Sequence, residues 1–176
     1  MQYEINDLRI RPSIPNDIAS LDQIRTSVKY IAKWMSKKAN ELDYSFEEGF
    51  SAGWDLPPEI PNESYQVLSI ENKSGIIGYI ALTKSYPQDD SVWISILAID
   101  PAYHRLGLGK QVVRGLIKQI QTATSFNKVS LAVDLKNWIA LRFWINLGFR
   151  NITKVTGDHS FSINNYAKIQ LELNLD

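Results

Sequence analysis

Val92-Trp93-Ile94-Ser95-Ile96-Leu97-Ala98-Ile99-Asp100 is a nearly continuous apolar run that meets Pro101 and gives way to Ala102-Tyr103-His104-Arg105-Leu106-Gly107-Leu108-Gly109-Lys110. The run reads as a strand buried on both faces. After it, Leu108, Val112, Val113, Leu116, Ile117 and Ile120 share one helical face, while Lys110, Arg114, Lys118 and Gln121 lie away from it. The loop His104 to Gly109 therefore opens a long amphipathic helix. A helix start presents unpaired backbone N–H groups and the positive end of the dipole, which suits a phosphate. Gly107 and Gly109, one residue apart, would let that backbone come close to a bulky anion. A strand-to-helix turn that uses its glycines for packing fits the hexapeptide equally well, and the two readings stay open on it alone. A Walker A loop is excluded, because His104 and Gln111 stand where it requires Gly and Ser or Thr. The Rossmann fingerprint needs three glycines near a first strand, and here there are two past the middle of the chain.

Outward from this unit toward the C-terminus, Val129 to Val133 is a further strand. Trp138 to Leu147 is helical and ends at Gly148, the residue that best tolerates a left-handed exit. Arg150 to Val155 and Lys168 to Leu173 supply two last strands across the loop Thr156 to Asn165. Toward the N-terminus, Tyr65 to Glu71 and Ile76 to Leu82 flank Asn72-Lys73-Ser74-Gly75, a hairpin signal. Pro57, Pro58 and Pro61 make Trp54 to Pro61 a loop. Before it, apolar residues recur at helical spacing from Val28 to about Phe50 (Ile31, Trp34, Met35, Leu42, Phe46). Leu8 to Arg11 reads as a short strand, and Pro12 to Asp17 as the turn and cap of a helix through Ile18, Leu21 and Ile24.

At 176 residues, one domain spanning residues 1–176 with a single core is expected. Nineteen basic residues balance nineteen acidic ones, so no net field draws the chain to nucleic acid or an anionic membrane. Any anion site must be local. With no cysteine and two isolated histidines, neither a thiol nucleophile nor a metal site is expected. Met1 to Ile10 lacks an apolar signal core, and no run approaches the roughly 20 apolar residues of a membrane span. The expected location is cytoplasmic.

With these elements in place, the chain resembles the GCN5-related N-acetyltransferase (GNAT) superfamily. That family's loop has Gln or Arg, two variable residues, Gly, one variable residue, then Gly or Ala. It follows a strand ending in an apolar residue and usually Pro. Here Ile99-Asp100-Pro101 precedes His104-Arg105-Leu106-Gly107-Leu108-Gly109-Lys110, with His104 in the Gln or Arg place. A second family motif lies at the expected separation: Leu131-Ala132-Val133 is followed by Asn137, Ala140, Phe143-Trp144 and Gly148-Phe149. The resemblance implies an α/β (α+β) fold of the GNAT acyl-CoA N-acyltransferase type. Its central mixed sheet would have about six or seven strands flanked by helices, splayed at the strand before the pyrophosphate loop. It implies acetyl-CoA as cosubstrate, no metal, and an amine acceptor that is a small molecule or a peptide; it is also compatible with a homodimer. Leu97, Ala98 and Ile99 would bond the pantetheine arm through their main chain. His104, Arg105, Leu106, Gly107, Leu108, Gly109 and Lys110 would hold the phosphates, with Asn137, Phe143 and Trp144 completing the cofactor site.

Individual side chains keep two readings. Asn137 suits both a helix N-cap and a cofactor contact. Asp134 is a base or a strand-end turn residue, and residue preference favours the turn. Arg105 and Lys110 reach phosphates or sit solvated. Trp34, Met35 and Trp54 line an acceptor pocket or belong to the core. His159 reads as a surface histidine. The family also often carries a Tyr that protonates the leaving thiolate and a Glu on the pre-loop strand that deprotonates the amine. Trp144 stands at the first place and Trp93 and Ser95 near the second, so the catalytic groups are left unassigned. Two accounts follow: transfer driven by proximity and carbonyl polarisation, with solvent handling protons, or a CoA-binding module that no longer transfers acetyl.

Overall fold

The computed structural model describes residues 1–34, 47 and 60–175. The chain opens with a tight hairpin, β1 (Tyr3–Ile5) and β2 (Leu8–Pro12), then a 3₁₀ turn (Pro15–Asp17) leading into α1 (Ile18–Ser27). The middle is a meander, β3 (Tyr65–Asn72), β4 (Gly75–Lys84) and β5 (Ser91–Ile99). It leads to α2 (Leu108–Ala123), β6 (Lys128–Asp134), α3 (Trp138–Asn146) and a last hairpin, β7 (Asn151–Gly157) and β8 (Ala167–Asn174).

These strands form one eight-stranded sheet in the order β1-β2-β3-β4-β5-β6-β8-β7, antiparallel throughout except for the parallel pair β5–β6. That pair is parallel because α2 carries the chain back across the sheet between the two strands, as a crossover must. The sheet has two apolar faces. On one, Val112, Val113, Leu116 and Ile120 of α2 and Trp144 of α3 pack on Ile94, Ile99, Val129, Leu131 and Val133. On the other, Leu21 and Ile24 of α1 pack on Val67, Tyr79, Ala81 and Ala98. The helix face read from Leu108 to Ile120 is the face that α2 buries. Helix α2 also lies tight on the sheet edge: the Tyr3 hydroxyl donates to the Val112 carbonyl at 2.8 Å. A Cβ on Gly115 would stand 2.6 Å from the Tyr3 ring.

The expected element order is observed, with three differences. The sheet has eight strands rather than six or seven, because Tyr3–Ile5 pairs with β2 through Tyr3 and Ile10; three residues are too few to display an alternation. Residues Lys29–Trp34 form a 3₁₀ helix rather than the first turns of an α-helix. The remainder of that expected helix, Met35 included, lies outside the described residues except for Glu47, which is helical, and so does the proline loop from Trp54 to Glu59. Strand β5 is not buried on both faces along its length: Trp93 is half-buried while still paired on both sides, and Ser95, Ile96 and Leu97 are half-buried where the strand has lost β6 as a neighbour.

Candidate active site

Strands β5 and β6 pair only from Ser91 opposite Lys128 to Ile94 opposite Leu131. Beyond that point β5 stays on β4 as far as Ile99, while β6 runs on against β8 to Asp134. The two strands part, and a bulge accompanies the parting. The β4 partners step from Ile96 for Ala81 to Ile94 for Leu82, which leaves Ser95 unmatched. An extra residue bends its strand and strengthens the local twist, so β5 curves away where β6 would otherwise continue beside it. Ser95 interrupts an apolar run, and that interruption was the sequence signal for it.

The parting leaves main-chain groups facing the gap. The Asp100 N–H donates to the Ile77 carbonyl at 2.9 Å, which makes that level a hydrogen-bonded pair. Alternation along an antiparallel ladder then turns the main-chain groups of Ala98, opposite Tyr79, toward β4, and those of Leu97 and Ile99 away from it. Of Leu97, Ala98 and Ile99, the outer two therefore present N–H and C=O groups to the gap. One of these is taken: Nε2 of His104 lies 2.7 Å from the Ile99 carbonyl oxygen. The imidazole thus ties the loop to the strand end and has one ring nitrogen left.

The loop is built to deliver bare N–H groups. The Asp100 side chain accepts from the Ala102 N–H at 2.9 Å and caps a 3₁₀ turn at Pro101–Tyr103. Arg105 and Gly107 then take positive φ values of 64° and 77°. Gly107 is the N-cap of α2 and supplies no side-chain hydrogen bond; its carbonyl accepts the first helical bond, from Gln111 N–H. The N–H groups of Leu108, Gly109 and Lys110 are consequently left pointing out of the helix end. A Cβ on Gly107 would meet no atom within 4 Å, so the space beside it is open. Gly109 packs the other way. A Cβ there would touch the Phe143 ring at 3.4 Å and Ile99 Cδ1 at 3.5 Å, which brings the loop, β5 and α3 to one point. Arg105, Leu106 and Lys110 are exposed around it. An open groove of about 450 Å³ lies on the other side of Leu106 and Leu108, against the β1–β2 and β3–β4 turns.

On the far wall of the gap, Asn137 caps α3: its side-chain oxygen accepts from the Ala140 N–H at 3.1 Å. Phe143 is half-buried beside Gly109. Trp144 is 7% exposed and lies in the core, edge-on to Phe143 at 4.9 Å and to Phe149 at 5.2 Å. Asp134 ends β6 at the mouth of the gap with one carboxylate oxygen, Oδ1, buried and without a hydrogen-bond partner. Burial holds its pKa above the usual carboxylate value, against the opposing charge of Lys168 on β8. His159 is exposed in the loop between β7 and β8, and Trp34 ends the 3₁₀ helix after α1.

The arrangement is a split sheet with free main-chain groups, ending in an uncapped, glycine-opened helix terminus. It suits a long ligand with an extended arm and an anionic end. The chain's overall shape is similar to the ribosomal-protein-S18-alanine N-acetyltransferase of Escherichia coli, with a TM-score of 0.70 at 16% identity over 96% of this chain and 94% of that one. It is similar also to a spermidine N-acetyltransferase SpeG chimera from Vibrio cholerae and hSSAT, with a TM-score of 0.71 at 16% identity over 96% of both chains. A third similar structure is Arabidopsis thaliana NAA60 bound to a bisubstrate analogue, with a TM-score of 0.65 at 14% identity over 96% of this chain and 98% of that one. A search of curated protein sequences finds no match. Residues 30–149 match the model of the acetyltransferase (GNAT) family, a span that runs from the 3₁₀ helix after α1 through the loop and both walls of the gap, and the chain belongs to that family.

Proposed function

We propose that this protein transfers an acetyl group from acetyl-CoA to a primary amine of a small molecule or a peptide, by direct attack while both are bound. The observation that carries the reading is the parting of β5 from β6 directly before a helix end with three uncapped N–H groups. The residues present fit the cofactor. The N–H groups of Leu108, Gly109 and Lys110 would receive the pyrophosphate, with the helix dipole adding to them. Gly107 keeps that approach open, because no side chain occupies the space beside it. Leu97 and Ile99 would bond the pantetheine amides as a neighbouring strand would, and the ring of Phe143 would pack against the arm. Asn137 spends its carbonyl oxygen on α3 and would offer its amide N–H₂ to the cofactor. Bound acetyl-CoA supplies an activated thioester. A gap-facing N–H of β5 would be placed to donate to the thioester carbonyl, and a fixed donor of this kind would lower the barrier by about 3–4 kcal/mol.

Trp144 cannot protonate the departing thiolate, since an indole N–H is not an acid at accessible pH and the ring is buried against Phe149. A thiol of pKa about 8.5 leaves without such help, and solvent supplies its proton. The acceptors named for the similar structures, spermidine and an alanine of ribosomal protein S18, define a first panel. Incubating the protein with acetyl-CoA and each of spermidine and an alanine-initiated peptide should release free CoA thiol and yield the N-acetylated product by mass spectrometry. Acetyl-CoA that binds tightly but is never consumed with any amine would instead make the protein a CoA-binding module.

A further inference from the structure

Strand β6 alternates, with Val129, Leu131 and Val133 in the core under α2. Ser130, Ala132 and Asp134 therefore face the opposite side of the sheet, the side that α1 covers with Leu21 and Ile24. Extending the β5–β6 register beyond Ile94 and Leu131 would bring Asp134 level with Leu97. Leu97 is one of the two residues whose main chain faces the gap. The uncapped end of α2 lies on the other side, where Gly109 touches Ile99 and Phe143. An anionic ligand seated at that helix end fills the gap from the α2 side. A nucleophile must then arrive from the α1 side, past Ala132, which is exposed, and Asp134.

We propose that Asp134 is the catalytic base of the reaction, the carboxylate that takes a proton from the acceptor's ammonium group at the mouth of the gap. This rests on the acetyl-transfer reading above. The turn into α3 is closed by the main chain, the Asp134 carbonyl accepting from Asn137 N–H at 2.8 Å, while its side-chain Oδ1 is buried with no hydrogen-bond partner; the turn does not use that oxygen, and an incoming ammonium would satisfy it. The charged groups around it are few among the described residues. Lys168 stands opposite it on β8, and Glu172 lies farther along the same face, opposite Ser130. Lys154 of β7 lies beyond them opposite Gln170. Lys136 is drawn away, its ammonium donating to the Ile163 carbonyl and lying over the Tyr166 ring. On α3, Arg142 lies over the Trp138 ring, and β5 carries no ionisable side chain between Ser91 and Ile99. Desolvation outweighs the charge of Lys168 and makes Asp134 a stronger base than an exposed carboxylate.

The step balances as follows. The acceptor's R–NH₃⁺ gives one proton to Asp134, and the freed nitrogen lone pair forms a bond to the acetyl carbonyl carbon. The C–S bond breaks with its electron pair going to sulfur. The nitrogen loses its second proton as the amide forms, and that proton reaches the thiolate through solvent. Asp134 returns its own proton to water.

The test uses the whole chain and the variants Asp134→Asn and Asp134→Glu, with three readouts. Calorimetry should show acetyl-CoA affinity unchanged within about threefold, since the carboxylate lies across the gap from the phosphate end. Thermal unfolding should separate a base from a turn residue. A carboxyl whose folded pKa is raised costs nothing well below its unfolded value of about 4, where it is protonated folded and unfolded alike, and its full cost is present above the folded pKa. Asp134→Asn should therefore raise the melting midpoint by about 2–4 °C at pH 8 and hardly near pH 3. In kinetics, kcat/KM for spermidine or the alanine-initiated peptide should fall by about 10²–10⁴-fold in Asp134→Asn and recover substantially in Asp134→Glu. The loss should be at least tenfold smaller with hydroxylamine, which is uncharged at neutral pH and has no ammonium proton to give up. A lowered midpoint at both pH values, kcat/KM retained within threefold, or an equal loss with hydroxylamine would each overturn the assignment. Native protein that binds acetyl-CoA and acetylates neither amine nor hydroxylamine overturns it too, leaving cofactor binding intact. Native protein that does not bind acetyl-CoA overturns the functional reading itself.

Discussion

His104 shows how one side chain can replace another without repeating its chemistry. Its imidazole holds the Ile99 carbonyl at 2.7 Å and so fixes the end of β5 to the loop that opens α2. His104→Ala should cost about 0.5–1.5 kcal/mol in stability by leaving that carbonyl without its partner, measured by chemical denaturation. Trp144 makes the complementary point. With 7% of its surface exposed and Phe143 and Phe149 edge-on to it, its place is filled for shape. Trp144→Ala should destabilise the fold by about 3–5 kcal/mol, while Trp144→Phe keeps most of the contact and should leave turnover nearly unchanged. The rate should also lack the fall near pH 10 that an essential tyrosine acid would impose. Loss of turnover in Trp144→Phe with acetyl-CoA affinity intact would mean that the indole N–H takes part in the chemistry.

Single elements are held in place by interactions of quite different legibility. The start of α1 is tied to the sheet by Arg11 of β2, which pairs with Asp17 at 2.6 Å and also with Glu71 of β3. The Asp17 carboxylate further accepts from Ile14 N–H and the Ser69 hydroxyl, each at 2.9 Å. Burial alone would raise the pKa of Asp17, but Arg11 and these donors outweigh it and hold the carboxyl below its usual value. A depressed folded pKa contributes stability above about pH 4 that is lost as pH falls through the folded value. Asp17→Ala should therefore cost about 3 kcal/mol at pH 7, and the difference from native should shrink below pH 4, as acid titrations of both proteins would show. Sequence pattern found α1 through its apolar spacing. It gave no sign of the Arg11 network, because pairs 6 and 60 residues apart leave no local signature. The hairpin at Asn72 to Gly75, α2 and α3 were equally readable, since each carries its turn, period or stop within a dozen residues. Strand β1 was not, being three residues long and defined by its partner. The bulge at Ser95 is likewise a property of the β4–β5 pair, and only the polar residue in an apolar run hinted at it.

At the scale of the molecule, two apolar faces and one incomplete strand pair make the site. The α2 face carries the helix end that suits the anionic part of the ligand, the α1 face carries Asp134, and the parting of β5 and β6 joins them. The loop at Gly107 and Gly109 was legible in sequence because a positive φ at Gly107 favours glycine and Gly109, packed on an aromatic ring, leaves room for only a small residue. Which main-chain groups face the gap was not, because that follows from strand register, and register is fixed by partners distant in sequence. The central claim is that the uncapped start of α2 binds the pyrophosphate of acetyl-CoA beside Gly107. Gly107→Glu tests it most directly. A Cβ there meets no protein atom within 4 Å, so the fold should bear mainly the strain of a positive φ, about 1–2 kcal/mol. It would, however, set a carboxylate where the phosphates must sit. Isothermal titration of acetyl-CoA into the native protein should give saturable binding, and into Gly107→Glu a loss of at least a hundredfold with the circular dichroism spectrum unchanged. Equal affinity in the two proteins would contradict the account.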